Sequence, residues 1–325
     1  MRILVTGGAG FIGSHLVDRL VADGHEVVVL DDLSSGRLEN LPRSACTFVH
    51  HDVREPFGIE MGQFDRLYHL ACPASPVAYQ SDPVGTIRTA FLGTLNALEY
   101  ARWTGFRLLL ASTSEVYGDP LVHPQPEDYR GNVSTTGPRA CYDEGKRAAE
   151  TLCADYRRKY GTDARIARIF NTYGPRMRPD DGRVIPAFIG QALKGEPLTI
   201  HGDGSQTRCF CYVTDLVDGL VRLMEHPTFA GPVNLGSDRE VTMVGLARAV
   251  SMATEQGTSF AFLPRPEDDP ERRKPDLRLA REMLGWEPTT ELEDGLSDIV
   301  ARHRLSCAAG DLTLMQGLYG AAKKC

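Results

Sequence analysis

Short apolar runs alternate with helix-length amphipathic stretches through the first half of the chain. Residues 3–5, 26–30, 48–50, 66–70, 107–111 and 164–168 read as strands, and 13–23, 83–104 and 142–160 as the helices between them. Strand, helix, strand at this rhythm predicts an α/β fold, a Rossmann-type doubly wound parallel sheet with helices on both faces. Ligands of such a sheet bind beyond the carboxyl ends of its strands. After residue 174 the texture changes, with frequent Pro and Gly and shorter pieces. Residues 215–224 read as a helix, and 232–236 as a strand that rejoins the sheet. The pattern predicts a sheet domain of residues 1–173 plus roughly 212–238. A smaller, partly interleaved substrate-binding lobe takes 174–211 and 239–305. Residues 306–325 lack periodicity and read as a tail.

Thirty-six Lys and Arg against 43 Asp and Glu leave a net charge of −7. That balance argues against nucleic acid, whose phosphates call for a dense basic face. No apolar stretch approaches the roughly 20 residues of a membrane helix. The strand at the N-terminus leads straight into a Gly-rich turn, so a cleavable signal is not expected and the cytoplasm is. Eight cysteines form no CxxC pair and no metal-ligand spacing, which predicts reduced thiols and no metal.

The first strand runs into Gly7-Gly8-Ala9-Gly10-Phe11-Ile12-Gly13, which opens a helix. Asp31 follows Gly13 by 18 residues, at the end of the second strand. In that context the glycines predict a dinucleotide site. Backbone without Cβ atoms can approach a pyrophosphate, and the helix N-terminus offers unpaired N–H groups. Asp31 suits ribose hydroxyls and would repel a 2′-phosphate, so NAD is expected over NADP, with Arg37 not called upon. Asp52 and Val53, after the third strand, are candidates to bracket the adenine, and Leu70 and Ala71 line the end of the fourth.

Tyr142 and Lys146 stand four apart on a predicted helix, so phenol and ammonium share a face. Some thirty residues earlier a strand ends in Ala111-Ser112-Thr113-Ser114-Glu115. A free tyrosine titrates near pH ~10. Lys146 and a positive nicotinamide would lower that value and make Tyr142 a base, and the hydroxyls at the strand end, Thr113 among them, should face the nicotinamide.

Together these motifs resemble the extended short-chain dehydrogenase/reductase family acting on nucleotide sugars. Longer stretches are similar to its UDP-glucuronate decarboxylases in particular: His69 to Pro76, Leu110 to Pro120, Gly137 to Arg147, Arg168 to Met177 and Gly202 to Arg208. The resemblance runs from residue 1 to about 304. It implies oxidation of the sugar at C4, loss of the carboxylate as carbon dioxide, and re-reduction. Tyr142, Lys146, Thr113, Ser114 and Glu115 would be catalytic, with Glu115 positioning water or assisting proton transfer. UDP-glucuronate would meet Ser75, Asn171, His201, Gln206, Arg208 and Arg273, with Arg272 as the more solvated neighbour. Two positions depart from the family pattern: His201 where tyrosine is common, and Ala90 where asparagine is usual. A 4-epimerase or a 4,6-dehydratase would share the first step, although a dehydratase wants an acid where Ser114 stands. A non-catalytic dinucleotide sensor is the remaining alternative. Apolar stripes on both sides of the helix 83–104 predict burial on both sides; the resemblance implies a homodimer that pairs this helix with the Tyr142 helix, and burial beneath the smaller lobe is the alternative.

Overall fold

The computed structural model describes residues 1–58, 62–178, 180, 182–264 and 272–308, with side chains through 305. The tail reading for 306–325 therefore falls almost wholly outside the described residues. Six strands, β1 (Arg2–Thr6), β2 (Glu26–Asp31), β3 (Cys46–His50), β4 (Arg66–His69), β5 (Arg107–Thr113) and β6 (Ala164–Ile169), join Val233–Leu235 in one sheet. Its order is Val233–Leu235, β6, β5, β4, β1, β2, β3, and every pair is parallel. The order reverses beside β1, so the crevice beyond β1 and β4 is where such a sheet takes its ligands.

Successive strand residues feed opposite faces, which is why the runs are apolar throughout. Ile3, Val5, Val27, Val29 and Leu109 pack under helices Phe11–Ala22 and Val213–Glu225. Leu4, Val28, Leu30, Leu108 and Leu110 pack under helices Thr94–Thr104 and Ala140–Tyr160. Each buried aliphatic side chain contributes about 1.5–3 kcal/mol.

A third core, with Ile185, Phe188, Leu198, Ile200, Met243, Leu246 and Leu296, belongs to the smaller lobe. Three short sheets frame that lobe, one of them ordered Glu240–Thr242, Thr207–Cys209, Arg272–Arg273. Leu277, Ala280, Leu284 and Trp286 correct the sequence reading, which put them in this lobe. They pack on the large sheet's core, and the Trp286 indole donates to the Asp215 carbonyl at 2.9 Å.

The stretch read as one helix over 83–104 is helical in three parts. Pro83–Arg88 and Thr94–Thr104 are α-helical, and a π-helical turn over Thr89–Gly93 joins them. Ala90 sits in that turn, 1% exposed. The built Cβ of Gly145 would lie 3.0 Å from the Ala90 methyl, so the turn presses directly on the Tyr142 helix. Val84, Ile87, Phe91 and Trp103 stay exposed, while Leu98 and Tyr100 are buried.

Candidate active site

A cleft of about 1000 Å3 opens at the carboxyl ends of β1, β2, β4 and β5 and reaches across to the smaller lobe. Its first wall is the glycine turn. Gly7 adopts a φ of 71°, and its N–H donates to the Leu30 carbonyl at 2.8 Å. A Cβ at Gly13 would fall 2.1 Å from the Gly7 carbonyl oxygen, so only glycine lets the helix start this close to the strand. Gly10 caps helix Phe11–Ala22 with no side-chain acceptor. Its first N–H groups thus face the cleft beside Phe11 and Ile12, a ready anion site.

Asp31 is buried at the far edge. Its carboxylate accepts from the Ala9 and Leu33 N–H groups at 3.0 and 2.8 Å. Burial pushes its pKa up, and those two donors restrain the rise. Two acceptors per oxygen leave lone pairs for ribose hydroxyls. These features fit a dinucleotide without a 2′-phosphate. Leu70, Ala71 and Val53 line the same cleft, as does Arg37. Asp52 does not: it accepts from the Arg54 guanidinium at 2.5 Å, and Arg54 takes its place in the wall. That corrects the expectation that Asp52 brackets the adenine directly.

At the cleft floor the Tyr142 phenol lies close to Thr113 and stacks on Tyr79, with ring centroids 5.1 Å apart and planes 5° apart. The Lys146 ammonium donates to the Ala111 carbonyl at 2.9 Å. Burial pushes the Tyr142 phenol well above its ordinary value, with the Cys72 thiol adding to the rise. The expected lowering joins Lys146 to a positive nicotinamide, and the protein's own surroundings act in the opposite direction. His69 beneath them is held neutral, its pKa lowered to about 3 by burial and by Lys146. It shares a 2.8 Å hydrogen bond with Thr6 that ties β4 to β1.

Glu115, 8% exposed, is bonded by two guanidiniums, those of Arg139 and Arg273. Burial alone would raise its carboxyl, yet Arg273 and Arg139 outweigh this and hold it below the usual carboxylate range. Ser114 bonds it more weakly at 3.4 Å. Asp143 is buried one residue past Tyr142, and one of its oxygens lacks a partner among the described residues. Burial, reinforced by the Glu115 charge, raises its pKa to about 7. Arg139 and Tyr79 escaped the sequence reading. Arg139 stands one helical turn before Tyr142, a spacing that could have flagged it; Tyr79 gave no signal.

The remaining residues come from the other wall. Asn171, His201, Gln206, Arg208 and Arg273 all line it. The Gln206 amide donates to the His201 carbonyl at 2.6 Å, and the exposed His201 ring bonds the Pro264 carbonyl at 3.0 Å. Ser75 lines the cleft but also caps helix Pro76–Ser81, accepting from the Ala78 N–H. Arg272 is exposed and forms no part of the cleft wall to which Arg273 belongs.

Residues 3–236 match the family model described as the NAD dependent epimerase/dehydratase family. UDP-glucuronic acid decarboxylase 3 of Arabidopsis thaliana is 56% identical over 301 residues, 91% of this chain and 87% of that protein. UDP-glucuronic acid decarboxylase 1 of Xenopus tropicalis is 54% identical over 92% of this chain and 71% of its own length. Among solved structures, the UDP-glucose 4-epimerase of Thermotoga maritima with UDP-glucose superposes with a TM-score of 0.88 at 32% identity, covering 94% of this chain and 100% of that one. The UDP-glucose 4-epimerase of Thermus thermophilus, in complex with NAD, gives 0.83 at 32%, covering 94% and 99%. From its glycine turn to its Tyr-x-x-x-Lys helix, this chain belongs to the NAD dependent epimerase/dehydratase family.

Proposed function

We propose that this enzyme decarboxylates UDP-glucuronate to UDP-xylose with NAD as its resident cofactor. The observation that carries the reading is Glu115, bonded by Arg139 and Arg273 beside Tyr142. Two guanidiniums against one carboxylate leave a net positive charge where the acid-bearing end of the sugar must lie. A bare cation would hold the substrate's carboxylate and oppose its loss, so partial neutralisation by Glu115 favours the transition state over the ground state.

Tyr142 takes the proton of the C4 hydroxyl, with Thr113 bonding the same oxygen and Lys146 stabilising the phenolate. NAD, which the glycine turn and Asp31 would hold, would supply reversible hydride acceptance at C4. The C4 ketone is β to the carboxylate. The bond to the carboxyl carbon breaks, its electron pair enters an enolate, and the Tyr142 and Thr113 hydroxyls donate to the enolate oxygen. C5 then takes a proton from a water held by Glu115 and Ser114. The balance is UDP-glucuronate plus one proton giving UDP-xylose plus carbon dioxide, with no net oxidation. Arg208 and Arg273 serve the diphosphate, Asn171 meets it through its amide or main chain, and His201 stacks on uracil. The loss of an amide at Ala90 acts through the π-helical turn that presses on Gly145.

A 4,6-dehydratase reading lacks its acid, since Ser114 stands there and Glu115 is kept ionised. A 4-epimerase would still use Arg273 on the diphosphate, but it has no carboxylate whose loss Glu115 beside Arg139 would ease. The purified protein incubated with NAD and UDP-glucuronate should release carbon dioxide and yield a pentose nucleotide by mass spectrometry. An isomer of unchanged mass, a dehydrated product or untouched substrate would overturn the reading.

We further propose a homodimer through exposed Val84, Ile87 and Phe91 beside the Tyr142 helix, which a sedimentation result of monomer would refute. We place the enzyme in the cytoplasm, since Cys46, Cys72, Cys141, Cys153, Cys209 and Cys211 are free thiols. Among the described residues no helix is long and apolar enough to cross a membrane.

A further inference from the structure

Arg273 arrives on a strand of two residues, Arg272–Arg273. In that short ladder it lies opposite Arg208, and like charges directly opposite destabilise a pairing. Glu115 holds its guanidinium, and the backbone that carries it is held from the next residue. The residue after it, Lys274, is bracketed on both backbone groups by Gln125. The Lys274 N–H donates to the Gln125 side-chain oxygen at 2.9 Å, and the Gln125 N–H donates to the Lys274 carbonyl at 2.9 Å. The Asp276 N–H then donates to the Gln125 carbonyl at 3.0 Å.

Gln125 is itself immobilised. It is 1% exposed, and its side-chain amide donates to the Val122 carbonyl at 2.7 Å. Its carbonyl also accepts from the Asn234 amide at 2.9 Å, and that amide reaches the Asp276 carbonyl at 3.2 Å. Asn234 lies fully buried on Val233–Leu235, at the edge of the large sheet, where Tyr117 donates to its oxygen at 2.8 Å. Arg168 donates in turn to Tyr117 and, through two nitrogens, to Glu150. Glu150 accepts from Ser112 on β5, one residue before Thr113. One continuous set of hydrogen bonds therefore runs from the catalytic strand to the chain carrying Arg273. At its end the buried Arg273 Nε has no partner among the described residues, a donor left for a ligand.

We propose that Gln125 is a positioning residue that holds the Arg273 guanidinium in place for the nucleotide sugar, clamping the smaller lobe's arginine to the large sheet. Gln125 forms no part of the cleft wall, so its effect passes through Arg273. Glutamine suits the place because it supplies an acceptor to Lys274 and a donor to Val122 at once. Glutamate keeps the first and loses the second, and leucine loses both.

The test is a double-mutant cycle on affinity, which a merely structural role would not couple. Gln125→Leu should weaken UDP binding by calorimetry about tenfold, the scale of one hydrogen bond misplaced. Gln125→Glu should weaken it less, and NAD affinity should stay within about twofold in both. In an Arg273→Lys background, Gln125→Leu should add less than about twofold, because the group it positions is already gone. Independent, multiplying losses would overturn the proposal, as would an equal fall in NAD affinity or an absence of UDP binding in the parent protein. The proposal borrows the UDP-sugar reading but not its chemistry. A parent that binds UDP and fails to release carbon dioxide sinks the decarboxylase reading alone. Where the parent is active, Gln125→Leu should raise KM for UDP-glucuronate, and both this rise and any fall in kcat should shrink below about twofold in the Arg273→Lys background.

Discussion

The two sides of the cleft are built differently. Tyr142 and Lys146 ride on Ala140–Tyr160, a helix of 21 residues packed along the sheet. Opposite them, Arg273 rides on two residues, and Glu115 reaches it from a position 158 places earlier in the chain. The long helix fixes its pair through its own repeat, since residues four apart share a face. The arginine side has no such repeat and depends on Gln125, Asn234 and Glu115 meeting in three dimensions. A rigid base thus faces an assembled cation site, and substitutions on the two sides should fail differently.

The base side should fail in chemistry alone. Tyr142→Phe removes the proton acceptor proposed for C4 and should cut turnover about 1000-fold or more. UDP and NAD should still bind, because the ring stack on Tyr79 survives. Single-turnover kinetics with calorimetry check this, and appreciable activity in the variant would reassign the base.

The cation side should fail in stability as well. Glu115→Gln leaves two guanidiniums buried against one neutral amide. Breaking such a buried pairing costs about 3–5 kcal/mol, so the melting temperature should fall clearly. Decarboxylation should fall about 100-fold. A variant of parental stability would mean that Arg139 and Arg273 find other acceptors, and the contrast between the two sides would weaken.

This contrast also explains what could be read from the chain itself. The glycine turn, Asp31, Thr113, Tyr142 and Lys146 all announce themselves through local spacing, because each sits at a strand end or on one helix face. The strand rejoining the sheet at Val233–Leu235 was equally legible. Asp52 was misread since its partner, Arg54, is an uncommitted charge in sequence and a pinning one in space. The Trp286 segment was misread because its amphipathic pattern names an apolar face and not the surface that covers it. Tyr79 and Gln125 were invisible for the same reason. Their partners are separated by turns whose path no short-range pattern encodes.

Asp143 lies on the long helix but faces the assembled side, so it tests whether the division is sharp. Its carboxyl is raised by burial first and by the Glu115 charge second, from 3.8 to about 7. A group whose pKa is higher folded than unfolded holds a proton that the unfolded chain has released. Its stabilising contribution is complete below pH 3.8 and is lost as pH rises through about 7. Each unit of that rise is worth about 1.4 kcal/mol. Asp143→Asn carries no such dependence, so relative to the parent it should gain in melting temperature between pH 5 and pH 8 by a few degrees. Arg139 and Arg273 oppose the rise by favouring the ionised form. In Glu115→Gln the second cause of the shift disappears, and the gain from Asp143→Asn should shrink. An unchanged gain would mean that burial alone governs Asp143, and that the base side keeps its own charge independent of the arginines across the cleft.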